Sequence, residues 1–216
     1  MPDLQLAMLG AEIVPYAAAP LLAFKLQVTN EPAAQPIQAV ALQCQIRIDP
    51  LRRHYAAPEQ TDLHDLFGAP DRWSQTMHSM LWTHAATSIP AFTGSTVATL
   101  TVPCSYDFNI AATKYFYALE SGEIPLTLLF SGTIFYEVAD GTLQVTQIPW
   151  DRETTFRLPV ATWRALMDHY YPNSAWLTLR QDVFDRLYRY KIAHSLPTWE
   201  QVFDLLLPAG DAEQRP

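Results

Sequence analysis

The chain has 216 residues, of which 49% are apolar and 17% charged, and its net charge is −8. This composition predicts a folded chain with a substantial core and excludes an intrinsically disordered one. The acidic balance argues against nucleic acids and anionic membrane surfaces as partners, because both attract basic protein faces.

The first part of the sequence alternates apolar and polar residues with the two-residue period of β-strands. Strands are predicted at 4–8, 22–28 and 40–48, with a corner of small residues at 17–20 between the first two. The 40–48 pattern is the clearest in the chain, and it places Cys44 on the core-facing side.

Residues 50–76 form the one long break in this β pattern. The apolar residues of 59–66 are spaced as on one face of a helix, and Gly68 is expected to end that helix. A break of this length is usually either functional or a local cap over the sheet. We interpret 50–76 as a loop or helical insertion within the β-domain.

The stretch 102–137 has the densest apolar and aromatic content, and it follows a predicted strand at 97–103. In its second half, 124–136, large apolar residues fall at alternate positions, which is typical of a strand with one buried face. The first half, 107–119, fits either a strand or a helix ending at Gly122. We favour the strand, because it would form a central hairpin with the second half.

Two further strands, at 143–148 and 154–158, complete the β pattern. The fold class predicted for residues 1–158 is mainly β, an antiparallel β-sandwich of about seven to nine short strands.

Helical spacing replaces the β pattern at Pro159. We predict a C-terminal α-helical subdomain of three helices over 159–208, with 209–216 as a frayed tail. Two capping patterns mark helix starts, one at Thr178 and one at Thr198, each with Gln three residues later.

The two cysteines, Cys44 and Cys104, are too few for a disulfide framework. Both fall on predicted core faces; they could meet as a disulfide or redox pair, but we expect small apolar side chains in a reduced core. The Met-Pro-Asp start lacks the basic segment of a signal peptide, so we expect a cytoplasmic protein. Residues 74–106 carry no charge, but proline, glycine and polar residues interrupt them, so no membrane insertion is predicted.

No motif for nucleophilic, phosphate-binding or zinc chemistry is present in the sequence. Asp62, His64 and Asp65 have the donor types for a metal, but helical spacing directs His64 away from the two carboxylates. We therefore predict no catalytic, cofactor-binding or metal-ligating residues.

Aromatic residues are the strongest remaining signal, because the C-terminal segment carries more Trp and Tyr than one helix face can hold. Interface cores favour Trp, Tyr and Arg. A possible partner surface is therefore predicted at Arg52, Arg53, Tyr170, Tyr171, Trp176, Tyr188 and Tyr190.

Several phrases resemble an uncharacterised bacterial family over nearly the whole chain. They are Cys-Gln-Ile-Arg-Ile-Asp-Pro at 44–50, Leu-Trp-Thr-His at 81–84, Phe-Thr-Gly-Ser-Thr at 92–96, Pro-Cys-Ser-Tyr-Asp-Phe at 103–108, Leu-Leu-Phe-Ser-Gly-Thr at 128–133 and Leu-Pro-Thr-Trp at 196–199. Members of that family are often encoded near nickel–iron hydrogenase and accessory genes. The resemblance implies an accessory or assembly role and carries over no catalytic residue.

Our first hypothesis is a non-enzymatic accessory protein that binds another protein, with a hydrogenase subunit or maturation factor as the partner the resemblance implies. The second is a small-molecule or metal-dependent enzyme with a site between 50–76 and the sandwich, using Arg52, Arg53, His64 and His84. The third is a structural homo-oligomer held by the aromatic helices.

Overall fold

A computed structural model describes residues 1–138 and 140–207. Eight strands lie within these residues: β1 Asp3–Ile13, β2 Leu21–Glu31, β3 Ile37–Ile48, β4 Met80–Ile89, β5 Ser95–Pro103, β6 Glu123–Glu137, β7 Leu143–Gln147 and β8 Glu153–Pro159. The helices there are α1 Ala57–Asp62, α2 His64–Phe67, α3 Trp73–Thr76, α4 Ile110–Tyr117, α5 Val160–Tyr170, α6 Gln181–Ala193 and α7 Trp199–Leu206.

The strands form two antiparallel sheets, so the mainly β prediction is confirmed. One sheet has three strands in the order β1-β2-β5, and the other has five, in the order β4-β3-β6-β7 with β8 also paired to β6. The predicted alternation decides which side chains are buried. In β3, for example, Leu42, Cys44 and Ile46 are at most 1% exposed.

The sheets contact one another through aromatic side chains. Phe24 of β2 lies edge-on to Trp82 of β4 and to Phe156 of β8, with ring centroids 6.0 Å apart in both pairs. Edge-to-face pairs of this kind add to the stabilisation that apolar burial provides.

The central hairpin prediction is wrong, because the chain at 107–119 contains the helix α4. The Asn109 side chain caps this helix by accepting from the Ala112 amide at 3.1 Å, and its Nδ2 donates to two carbonyls of β4. The helix buries Tyr115 and Phe116. As a result β5 and β6 are not hairpin partners and belong to different sheets.

Gly132 allows β3 and β6 to approach closely. Its φ is +144°, and a Cβ built there would lie 2.1 Å from the carbonyl oxygen of Ala41. A side chain at this position would therefore displace one of the two central strands.

The chain divides into two compact units between Asn173 and Ser174. The sequence placed this boundary at 158/159, but α5 belongs to the first unit, where Trp163 and Leu166 are buried. Trp163 meets Phe116 of α4 with 5.6 Å between ring centroids. The predicted tail at 209–216 lies outside the described residues.

Candidate functional site

The second unit begins with residues 174–180, which belong to no helix or strand, and continues with α6 and α7. Thr198 caps α7 as predicted, since its side chain accepts from the Gln201 amide at 3.3 Å. The predicted cap at Thr178 is wrong, because α6 begins at Gln181 with Arg180 at its N-cap and no side-chain hydrogen bond there.

Aromatic rings hold α6 and α7 together. Phe184 and Tyr188 of α6 lie 5.5 Å and 6.4 Å from the Trp199 ring of α7, measured between centroids. Lys191 lies over the Trp199 ring at 5.8 Å and donates to the carbonyls of Leu196 and Pro197. These contacts fix the turn between the two helices.

The second unit leaves most of its apolar surface exposed. Among its described residues, only Val202 is fully buried. The exposed large apolar side chains of this unit are Trp176, Leu177, Phe184, Tyr188, Ile192, Leu205, Leu206 and Leu207. Exposed apolar side chains in this number make the second unit the candidate for an interaction surface.

Part of this surface forms an open groove of about 460 Å³. Its apolar lining comes from Trp176, Leu177, Leu179, Phe184, Trp199 and Phe203. The polar lining residues are Thr178 and Gln181. We call this feature the C-terminal groove. It can accept apolar side chains, but its lining carries no charged group to orient a polar substrate.

The residues predicted for a partner surface fall into both units. Trp176 and Tyr188 are 41% and 50% exposed in the second unit, and the Tyr190 ring stacks on His194 at 4.1 Å. Tyr170 belongs to the first unit, where its hydroxyl donates to the Val14 carbonyl at 2.8 Å and accepts from the Ala17 amide at 3.0 Å.

Tyr171 also lies in the first unit, with its ring 4.8 Å from that of Tyr106. Both Tyr170 and Tyr171 are half-buried. They therefore hold α5 in place within the first unit, whereas the aromatic residues of the C-terminal groove belong to the second unit.

The two predicted arginines have different environments. Arg52 is exposed, with its guanidinium 3.8 Å from the Asp49 carboxylate. Arg53 is an internal residue rather than part of an open surface, since its side chain is only 9% exposed. Its Nη2 binds both Glu59 carboxylate oxygens, at 2.6 Å and 2.9 Å.

Glu59 joins the 50–76 segment to the chain before β6. Besides Arg53, it accepts the amides of Ala56 at 3.1 Å and Glu120 at 3.0 Å. The Arg53 guanidinium also donates to the carbonyls of Ser121 and Glu123. Sequence reasoning missed this pair; the available signal was an acidic residue in the first turn of a helix, at capping-box spacing from Ala56.

A second cavity, of about 260 Å³, lies beside this pair and is lined in part by Arg53, His54, Tyr55 and Trp73. The Tyr55 hydroxyl donates to the Pro50 carbonyl at 2.7 Å and is 2.8 Å from the Tyr115 hydroxyl. Burial raises the pKa of Tyr55 well above its usual range and that of Tyr115 to about 12. Both phenols therefore stay protonated near neutral pH and are not available as bases.

The residues of the enzyme hypothesis do not converge. His64 is exposed on α2 and His84 is exposed on β4, while Arg53 is occupied by Glu59. Within 1–138 and 140–207, no group of three or more His, Cys, Asp or Glu side chains is placed to hold a metal ion. No helix among the described residues is long and apolar enough to cross a membrane.

Both cysteines are buried and free. Burial raises the pKa of the Cys44 and Cys104 thiols to about 12. Because the thiolate is the reactive form, these cysteines behave as small core side chains and not as nucleophiles.

Residues 1–215 match the sequence model of a family of unknown function, DUF6084. The chain belongs to this family. The expected membership of an uncharacterised family is thereby confirmed. A comparison with curated proteins gave no match.

Two solved structures show low similarity to this DUF6084 chain. The crystal structure of a Bordetella pertussis protein, provisionally assigned as ApaA, is 13% identical, covers 73% of this chain and 95% of its own, and has a TM-score of 0.30. The solution structure of a provisionally assigned late embryogenesis abundant protein is 14% identical, covers 74% of this chain and 72% of its own, and has a TM-score of 0.31. At these scores neither likeness carries an argument about fold or function.

Proposed function

We propose that this protein is a non-enzymatic accessory protein that acts by binding another protein through its C-terminal groove. The observation that carries the proposal is the exposure of the second unit, in which Val202 is the one fully buried residue among those described while Trp176, Leu177 and Phe184 are 41%, 63% and 44% exposed. Burial of such side chains in a complex contributes about 25 cal/mol for each Å² removed from water.

The lining of the groove favours a protein over a polar metabolite. Its volume falls within the range of about 300–1,000 Å³ that small-molecule pockets occupy. Small polar ligands are oriented by convergent polar or charged groups, whereas here the polar lining is limited to Thr178 and Gln181. A partner helix that inserts apolar side chains spaced three or four residues apart matches this lining.

The resemblance to a family encoded near hydrogenase genes makes a hydrogenase subunit or maturation factor the first partner to test. We propose that the protein acts in the cytoplasm, because its two free, buried cysteines fit a protein that works in a reducing compartment. We also propose that its two sheets are the layers of a β-sandwich, which the contacts of Phe24 with Trp82 and Phe156 support.

The enzyme alternative has less support. It requires Arg52, Arg53, His64 and His84 in one site, but Arg53 is paired with Glu59 and the two histidines lie on separate elements. Its geometric basis is the cavity beside Tyr55.

Affinity purification of the full chain from its native host, followed by mass spectrometry and a direct binding measurement with the purified partner, tests the proposal. Leu177→Asp places a charge in the groove, and Leu9→Asp is the matched control at an exposed site in the first unit, since the two leucines are 63% and 58% exposed. The partner should be lost with Leu177→Asp and retained with Leu9→Asp. Retention of the same partner by both variants, or the absence of any partner from the wild-type chain, would overturn the proposal.

A further inference from the structure

The strand β7 is an edge without the usual protection. Its sequence, Leu-Gln-Val-Thr-Gln, contains no charged residue and no proline. Within the described residues it pairs only with β6, and none of its five side chains is buried. Proteins normally guard such edges with lysine, proline or a bulge, because an open edge pairs with other strands.

The backbone direction of β7 follows from two hydrogen bonds at its ends. Ile148 donates to the Gly132 carbonyl at 2.9 Å, and Thr142 accepts from the Val138 amide at 3.0 Å. Since successive residues of an antiparallel strand direct their backbone groups to opposite sides, the even-numbered residues face β6. The N–H and C=O groups of Leu143, Val145 and Gln147 therefore point to the open edge.

An apolar row on the outer face leads to this edge. Ala39 of β3 is the cross-strand partner of Phe135 in β6, and Phe135 is the partner of Val145 in β7. Val145 is 56% exposed, and Leu143, on the same face, is 58% exposed. The opposite face carries Gln144, whose side chain accepts from the Tyr136 hydroxyl at 3.0 Å.

We propose that β7 pairs antiparallel with β7 of a second copy of this chain, about a two-fold axis at Val145. Each copy's outward N–H groups then donate to the carbonyls of the other copy. The two five-stranded sheets become one continuous antiparallel sheet, and the apolar row Ala39–Phe135–Val145 runs on into its equivalent in the second copy. This interface uses β7, whereas the sequence hypothesis placed a homo-oligomer contact on the aromatic helices.

In this register the side chains of β7 match those of a second β7. This self-complementarity is the reason for proposing a second copy of the chain as the binding partner. Val145 lies opposite Val145 of the second copy, Gln144 lies opposite Thr146, and Leu143 lies opposite Gln147. Apolar and hydrogen-bonding cross-strand pairs of this kind are stabilising, and no like charges oppose each other along the strand.

Two features predict a weak and salt-dependent dimer. A five-residue strand pair gives an interface below about 1,000 Å², which is the range of reversible complexes. Each chain also has a net charge of −8, so repulsion between the copies opposes association until salt screens it. We expect the dimer to dissociate on dilution and to tighten as ionic strength rises.

Sedimentation of the full chain from micromolar to submillimolar concentration tests the proposal. Val145→Lys and Val145→Glu each place like charges across the two-fold axis and should each raise the dimer dissociation constant at least about tenfold. An equimolar mixture of the two variants should recover a heterodimer, because Lys then opposes Glu. Circular dichroism of each variant confirms that it is folded.

Val97→Lys is the matched control, since Val97 is 54% exposed on the edge strand β5 of the other sheet. It should dimerise as the wild type does. A wild-type chain that stays monomeric over the whole range would overturn the proposal. So would single-charge variants that dimerise normally, or a mixture that does not recover the dimer.

Discussion

Arg53 and Glu59 form an ion pair in which Nη2 of Arg53 donates to both carboxylate oxygens, and both side chains are withdrawn from solvent, with exposed fractions of 9% and 3%. Arg53 also binds carbonyls on the approach to β6, and Glu59 binds an amide there. The pair therefore ties the 50–76 segment, which contains only short helices, to the start of β6.

Replacing Glu59 by Gln should lower the free energy of unfolding by about 3 kcal/mol, because it leaves the buried Arg53 charge without its counter-charge. Urea unfolding followed by circular dichroism measures the change. Asp65→Asn is the matched control, since it removes the carboxylate of the exposed Lys114–Asp65 pair and should leave stability nearly unchanged. Equal effects of the two substitutions would contradict a structural role specific to the buried pair.

Gly132→Ala should be strongly destabilising. The new Cβ would meet the Ala41 carbonyl oxygen, and the φ of +144° is one that residues with side chains rarely adopt. We expect a loss of about 3 kcal/mol or more in the free energy of unfolding. Gly10→Ala serves as the control, because a Cβ there meets nothing within 4 Å. That variant should stay within about 1 kcal/mol of the wild type, and similar losses for both would contradict the close approach of β3 and β6.

The strands could be predicted from the sequence where one face of the sheet is buried and the other is exposed to solvent. In β3 the alternation is unbroken from Val40 to Ile48, and each apolar residue of that series is buried. The helix α4 could not be assigned by the same method, because its apolar residues fit both periods. What decides between them is the cap at Asn109, which also binds carbonyls of β4, and that contact joins residues far apart in the sequence.

The candidate site was predicted in part. Trp176 and Tyr188 were predicted as surface aromatics and are exposed in the second unit. Tyr170 and Tyr171 were predicted on the same grounds, but they hold α5 in place. Residue type alone does not separate the two cases. The hydrogen bonds of Tyr170 to Val14 and Ala17 show that it has a structural role. These bonds join residues far apart in the sequence, so no local sequence pattern predicts them.

Cys44 and Cys104 should not react with a thiol reagent such as Ellman's reagent in the native protein near neutral pH. Both are buried and free, and burial raises the pKa of each thiol to about 12, so the thiolate is scarce and shielded. Both thiols should react promptly after unfolding in denaturant. Rapid reaction of either cysteine under native conditions, or a missing thiol under denaturing ones, would contradict this assignment.

The protein should lose stability at alkaline pH, in part through Tyr115. Burial raises the pKa of this phenol to about 12 in the folded state, whereas an unfolded tyrosine titrates near 10. Between these values the unfolded chain releases the proton and the folded chain keeps it, so the contribution of Tyr115 is complete below about pH 10 and is lost as the pH rises through about 12.

Tyr115→Phe should therefore make the decline shallower by up to about 1.4 kcal/mol for each pH unit over this window. The variant should also be less stable at neutral pH, because the hydrogen bond between Tyr115 and Tyr55 is lost. Urea unfolding at a series of pH values separates the two effects, since the hydrogen bond lowers the whole curve and the titration changes its slope. An unchanged alkaline slope in Tyr115→Phe would show that other groups, such as the two buried thiols, account for the decline.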